Sequence, residues 1–183
     1  LSDKIREMFK GENTDEPVPD AMVQLKTLNN EVGYLKVWGE LDADLADTGT
    51  PVSTLALFRG AIGQLTDQGC RALILDLRNN LGGSDAMAAA MLGSFYAEPT
   101  FYEYQNTYDE TTGTRAIVQP EGSDTLALMI IPDARVFTGR VIALVNLKCV
   151  SSGEGLAMGI RNLPNGDTLG FYGTHGSFGL CGP

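Results

Sequence analysis

Residues 71–83, RALILDLRNNLGG, join two opposed signals: an apolar run from Ala72 to Leu77, interrupted only by Asp76, and an abrupt polar, glycine-ending break. A continuous apolar run is the pattern of a strand buried on both faces, as in a parallel sheet covered by helices. The break then falls at the C-terminal end of that strand, where open α/β sheets place their ligands. Adjacent glycines, Gly82 and Gly83, let the backbone bend so that successive amides point at a bound group without a Cβ in the way. The same two residues also suit a plain strand-to-helix turn, and the stretch alone leaves both readings open.

The surroundings agree with a parallel sheet. Upstream, GYLKVWGEL (Gly33 to Leu41) alternates among β-formers and predicts a strand. Leu55, Phe58, Ile62 and Leu65 then recur at helical spacing, with Ser53 as N-cap and Gly69 as stop. Downstream, Ser84 or Asp85 caps a predicted helix, AMAAAMLGSFY, and residues 100–122 read as a polar hairpin turning at Thr112 and Gly113. Two apolar runs follow, LALMII (Leu126 to Ile131) and VIALVN (Val141 to Asn146). A helix to Leu163, a PNGD turn and a strand TLGFYG complete the pattern. Strands alternating with helices place the chain in the α/β class, with a mainly parallel sheet packed by helices and a polar β-hairpin added.

Composition narrows the function. The 183 residues carry 13 Lys plus Arg against 23 Asp plus Glu, a net charge of −10, which disfavours nucleic acid and anionic membranes as partners. No apolar run approaches the roughly 18 to 20 residues needed to span a bilayer. Three cysteines (Cys70, Cys149, Cys181) without CxxC spacing, and a single histidine (His175), argue against a zinc site. Cys149 and Cys181 flank glycine-rich motifs, and both a disulfide between them and buried free thiols remain open. Residues 1–30, a short amphipathic stretch (Ile5, Met8, Phe9) followed by GENTDEPVPD, read as a linker or the edge of a preceding region; 31–183 read as the core.

A second junction, VSSGEGLA (Val150 to Ala157), follows the run VIALVN. Ser151 and Glu154 have the form of a capping box, in which the serine accepts from the third amide and the glutamate reaches back. A serine at a strand-to-helix junction is also where free amides and the positive helix end would stabilise an oxyanion. A third motif, GTHGSFG (Gly173 to Gly179), holds His175, the one conventional base in the chain, close to Ser177.

A strand ending DLRNNxGG, a later strand VxLVN, an S-x-x-E helix start and a T-x-G-x turn occur here in an order that resembles the C-terminal-processing (tail-specific) serine peptidases. The resemblance runs from about Gly33 to Gly179, and its strongest motif departs from the expected pattern at Leu81, where proline is usual. It implies a ClpP/crotonase-like core, truncated here at both ends, that hydrolyses extended or C-terminal polypeptide segments. It implies Ser151 as nucleophile and Glu154 as the acidic residue. Oxyanion stabilisation would come from the amides of Gly82, Gly83 and Ser152, with no metal or organic cofactor. It also points to the bacterial periplasm or cell envelope, with homo-oligomers possible in principle. One assignment departs from the pattern: the lysine that serves as base in the family's T-F-G-K-G turn is here Ser177. A neutral serine is no base. Three accounts follow: His175 replaces the lysine, a base comes from outside this stretch as in tricorn-like relatives, or the groove binds peptides without cleaving them. A crotonase-like acyl-CoA enzyme shares the expected fold, and the acidic composition lends it little support.

Overall fold

The computed structural model describes residues 19–28, 31–46, 48–120 and 126–179. The amphipathic stretch near the N-terminus and Cys181, with its possible pairing, lie outside the described residues. The main sheet has five strands in the order β1-β2-β3-β7-β8: β1 (Val23–Thr27), β2 (Val32–Val37), β3 (Ala72–Asp76), β7 (Arg140–Leu144) and β8 (Gly166–Leu169). Strands β2, β3, β7 and β8 run parallel, and β1 pairs antiparallel with β2 at one edge. A second, antiparallel sheet is formed by β4 (Thr100–Asp109), β5 (Thr114–Val118) and β6 (Ala127–Ile130). Three helices are described: α1 (Thr54–Asp67), α2 (Asp85–Leu92) and α3 (Ser152–Arg161).

The apolar run of β3 is buried as its composition requires, with Leu73, Leu75 and Leu77 inaccessible between β2 and β7. Phe58 of α1 packs edge-to-face on Phe95, which does the same on Phe137, closing the core over one face. Ser53 and Ser84 cap α1 and α2 by accepting from the amides of Ala56 and Met87. The predicted hairpin is present, with Gly113 at φ 67° in its turn.

Three boundaries differ from expectation. The sheet begins at Val23, ahead of the core boundary expected at residue 31, because the short alternation of Val23 and Leu25 suffices for an edge strand once β2 offers a partner. The strand predicted over Gly33 to Leu41 stops at Val37, and residues 38–41 turn instead to meet the Gly82–Gly83 turn. TLGFYG is a strand only as far as Leu169, whose register partner, Leu144, is the last residue of β7; Phe171 and Tyr172 beyond it are exposed.

Candidate active site

Since β3 and β7 are adjacent and parallel, the segments leaving their C-terminal ends emerge side by side, and two asparagines join them. The amide of Asn79 donates to Asn146 Oδ1 at 3.0 Å, and Asn146 Nδ2 donates to Asn79 Oδ1 at 2.8 Å. Asn80 extends the link, its carbonyl accepting from the Val150 amide at 3.1 Å. Its side chain is fully buried: Nδ2 donates to the Val37 carbonyl and to Glu40 Oε1, while Oδ1 accepts from the Gly82 amide at 2.8 Å. Asn80 also lies flat on Gly153 of α3, where a Cβ would collide with it.

This brings the two glycine-containing junctions of the sequence together. A Cβ on Gly82 would stand 2.7 Å from the Cβ of Ser151, so the bare glycine is what lets the nucleophile candidate approach the turn. Gly83, at φ 152°, lies against the backbone carbonyl of Glu40, and a side chain there would overlap it. The two glycine amides are not equivalent. That of Gly82 is spent on Asn80, whereas those of Gly83 and of Ser152 have no hydrogen-bond partner among the described residues.

Ser151 sits at φ 53° and ψ −128°, a conformation that an L-residue adopts only at some cost. From there its hydroxyl faces the Glu154 amide in the expected capping box without making a full side-chain cap hydrogen bond. The glutamate half of the box does form, with the Ser151 amide donating to Glu154 Oε2 at 3.0 Å. The physical reason is that a cap serine reaches the helix amides from extended backbone, and Ser151 is not extended.

Glu154 is the anchor of the third motif. It is buried, and its carboxylate accepts from the amides of Gly176 and Ser177 at 2.6 and 2.7 Å and from the Ser177 hydroxyl at 2.8 Å. Burial works against the charge, but hydrogen bonds from Thr174, Gly176 and Ser177 outweigh it and hold the carboxyl below the usual glutamate value. Ser177 Oγ thus donates a hydrogen bond to Glu154 and accepts one from the Ser151 amide at 3.2 Å. The turn is tied a second time where the His175 amide donates to the Cys149 carbonyl at 3.1 Å. The His175 imidazole is exposed and makes no hydrogen bond among the described residues. Beside the turn lies a cleft of about 230 Å³, lined by Glu154, Ala157, Met158, Thr168, Gly173 and Thr174.

Gly82, Gly83, Ser151, Ser152, Glu154 and Ser177 are therefore brought together, with His175 tied to them through its backbone, and sequence reasoning missed two more residues. Glu40 is fully buried with Ser152 Oγ donating to its Oε2 at 2.7 Å, and burial pushes its carboxyl up to about 7 against the hydrogen bonds from Ser152 and Asn80. Asn80 was quoted only as part of a motif. A glutamate closing a run of β-formers was the available signal for the first, and paired asparagines before the glycines for the second. Burial also pushes the Cys149 thiol up, which keeps it from competing as a nucleophile.

Comparison with known proteins bears on the same region. The model of peptidase family S41 matches residues 31–181. No curated protein matches the chain at a significant level. Among solved structures, a candidate peptidase from Parabacteroides merdae is similar at 20% identity and a TM-score of 0.62, over 96% of this chain and 50% of that one. The photosystem II D1 C-terminal processing protease is similar at 18% identity and a TM-score of 0.56, over 85% of this chain and 37% of that one. Mature CPAF complexed with lactacystin is similar at 16% identity and a TM-score of 0.58, over 88% and 45%. The chain thus spans half or less of these structures, and at such identities the likeness is one of fold. No helix among the described residues is long and apolar enough to cross a membrane.

Proposed function

Because the chain belongs to peptidase family S41, we propose that it is the core of a serine endopeptidase acting on extended or C-terminal polypeptide segments, with Ser151 as nucleophile. The observation that carries this reading is the backbone of Ser151, held at φ 53° against the bare Gly82 where the two junctions meet. Strain at a junction of this kind is retained where surrounding structure over-determines it, as at reactive residues. In the proposed reaction Ser151 Oγ attacks the scissile carbonyl carbon as a base removes its proton. The carbonyl oxygen takes the negative charge and is met by the free amides of Gly83 and Ser152; the expected contribution from the Gly82 amide is dropped, since that amide is committed to Asn80. The base then returns its proton to the leaving amine nitrogen, and water releases the acyl group from Ser151.

Glu154 does not act as the base here: it fixes the 174–177 turn, and Ser177, donating to it, is part of the same anchor. The base is His175 or a group contributed by the remainder of a longer protein. His175 is the stronger choice within these residues, because its turn is bound through Cys149 to the segment that carries Ser151. An envelope location belongs to this proposal and rests on family resemblance alone. A noncatalytic peptide-binding role has one observation in its favour, the serine where the family places lysine.

Fluorophosphonate labelling with peptide mapping separates these readings. Modification at Ser151 is expected, and His175→Ala should slow it about 100-fold or more if the imidazole is the base. Labelling at Ser151 that His175→Ala leaves unchanged assigns the base to another group. Absence of labelling both in this chain and in a longer one, with peptide still bound, would replace the peptidase by the binding module.

A further inference from the structure

Behind the site, one carboxylate touches both arms that present free amides. Glu40 Oε2 accepts from Ser152 Oγ at 2.7 Å, which fixes the first residue of α3. Its Oε1 accepts at 2.8 Å from Asn80 Nδ2, and Asn80 Oδ1 in turn holds the Gly82 amide. Its backbone grips the same turn twice more, the Glu40 amide donating to the Gly82 carbonyl at 3.1 Å and the Glu40 carbonyl accepting from the Ser84 amide at 2.8 Å. Gly83 lies between these two bonds, pressed on the Glu40 carbonyl. The residue pairs involved come from three distant parts of the chain, and the Glu40 side chain is bonded both to Asn80 on one arm and to Ser152 on the other.

We infer that Glu40 is a positioning residue for the reaction, setting the separation between the Gly83 and Ser152 amides that receive the developing oxyanion. The inference rests on the peptidase reading above. Glu40 itself does not touch the substrate. Two donors from separate segments stabilise a tetrahedral oxyanion only if both lie within hydrogen-bond reach of the position it occupies; Asn79 and Asn146 join the same segments farther back, and Glu40 joins them beside the amides themselves. A carboxyl is a poor choice for mere packing at this spot, since the group is entirely buried and its hydrogen-bonding oxygens need partners there.

The test uses Glu40→Met, which keeps the volume and removes both side-chain bonds, and Glu40→Gln, which keeps an acceptor for Asn80 and offers an N–H to Ser152 Oγ. Turnover of an unstructured peptide should show kcat reduced about 10- to 100-fold in Glu40→Met with KM within about two-fold, and most of that loss restored in Glu40→Gln. Thermal unfolding of Glu40→Met should fall by the cost of leaving Ser152 Oγ and Asn80 Nδ2 without this acceptor, while the loss of kcat persists well below that transition, which a merely structural role would not give. A Glu40→Met enzyme with wild-type kcat would overturn the inference, and so would equal loss in both variants. Failure of the peptidase reading would look different, as a wild-type chain that neither labels nor turns over peptide. In that event amide hydrogen exchange still decides: Gly83 and Ser152 should both exchange faster in Glu40→Met, and unchanged exchange at both would dismiss the role.

Discussion

Ser151→Ala is expected to lower peptide turnover by about four to six orders of magnitude and to remove fluorophosphonate labelling, while denaturant unfolding shifts by less than about 0.5 kcal/mol. The two halves of this expectation have separate origins. The first follows from the place of the hydroxyl at the junction of α3 and the glycine turn. The second follows from the missing cap bond: a serine that capped α3 through its side chain would lose about 1 kcal/mol on truncation, and this one has no such bond to lose. Ser151→Gly carries the argument further, because glycine occupies φ 53° without the penalty that alanine shares with serine. It should be as inactive as the alanine variant and more stable, by about 1 kcal/mol. Peptide cleavage followed by mass spectrometry, paired with urea titration, reads both effects, and retained turnover in Ser151→Ala would remove the residue from the mechanism.

Glu154→Ala should have the largest effect on stability. It strands the Gly176 and Ser177 amides and the Ser177 hydroxyl at once and leaves the Ser151 amide only its bond to Ser177 Oγ, with an expected cost of about 2–4 kcal/mol and loss of turnover with it. The sign of the pH effect is fixed by its cause. The carboxyl is held below its ordinary value of 4.5, so the folded state binds its proton less readily than the unfolded chain does. Its contribution is therefore complete above about pH 4.5 and is lost as pH falls through the folded value. Unfolding midpoints measured from pH 7 downward should decline in wild type below that point and decline less steeply in Glu154→Gln. Parallel curves would mean that the turn is held by something other than this charge.

Much of this site could be read along the chain because its parts lie at junctions where periodicity changes. The apolar run of β3 and the glycines after it predict a buried strand and a tight exit, and SSGE predicts a helix start; both were legible as local features. The parts that assemble them were not. Asn80 and Glu40 act through partners on other strands, and the reciprocal bonds of Asn79 and Asn146 depend on β3 and β7 being neighbours, which a linear pattern leaves undetermined. The capping box was legible from its spacing, but the positive φ that goes with the packing of Gly82 against Ser151 was not. β1 went unrecognised because a five-residue alternation beside a proline-containing stretch has little weight without its partner, and the aromatic pair Phe171-Tyr172 extended a strand that the length of β7 had already ended.

Helix α3 opens SGEG and has a third glycine at position 159, each glycine costing about 1 kcal/mol of helix preference relative to alanine. The bare faces are occupied by Asn80 on Gly153, by Tyr102 and Phe178 on Gly155, and by Leu92 on Gly159. A segment so weakly helical by itself has to wait for those partners, all but Phe178 of which come from earlier in the chain, before it can persist. The order of events during folding is then constrained: β3, α2 and β4 precede the stable appearance of α3, and the junction at Ser151 is among the last contacts to be made. Mutations within α3 should accordingly leave the folding rate almost unchanged and accelerate unfolding, giving φ-values near zero; values near one would reverse the order. For the peptidase proposed above such timing would have a protective side, since a partly folded chain would carry no assembled nucleophile with which to cut its neighbours.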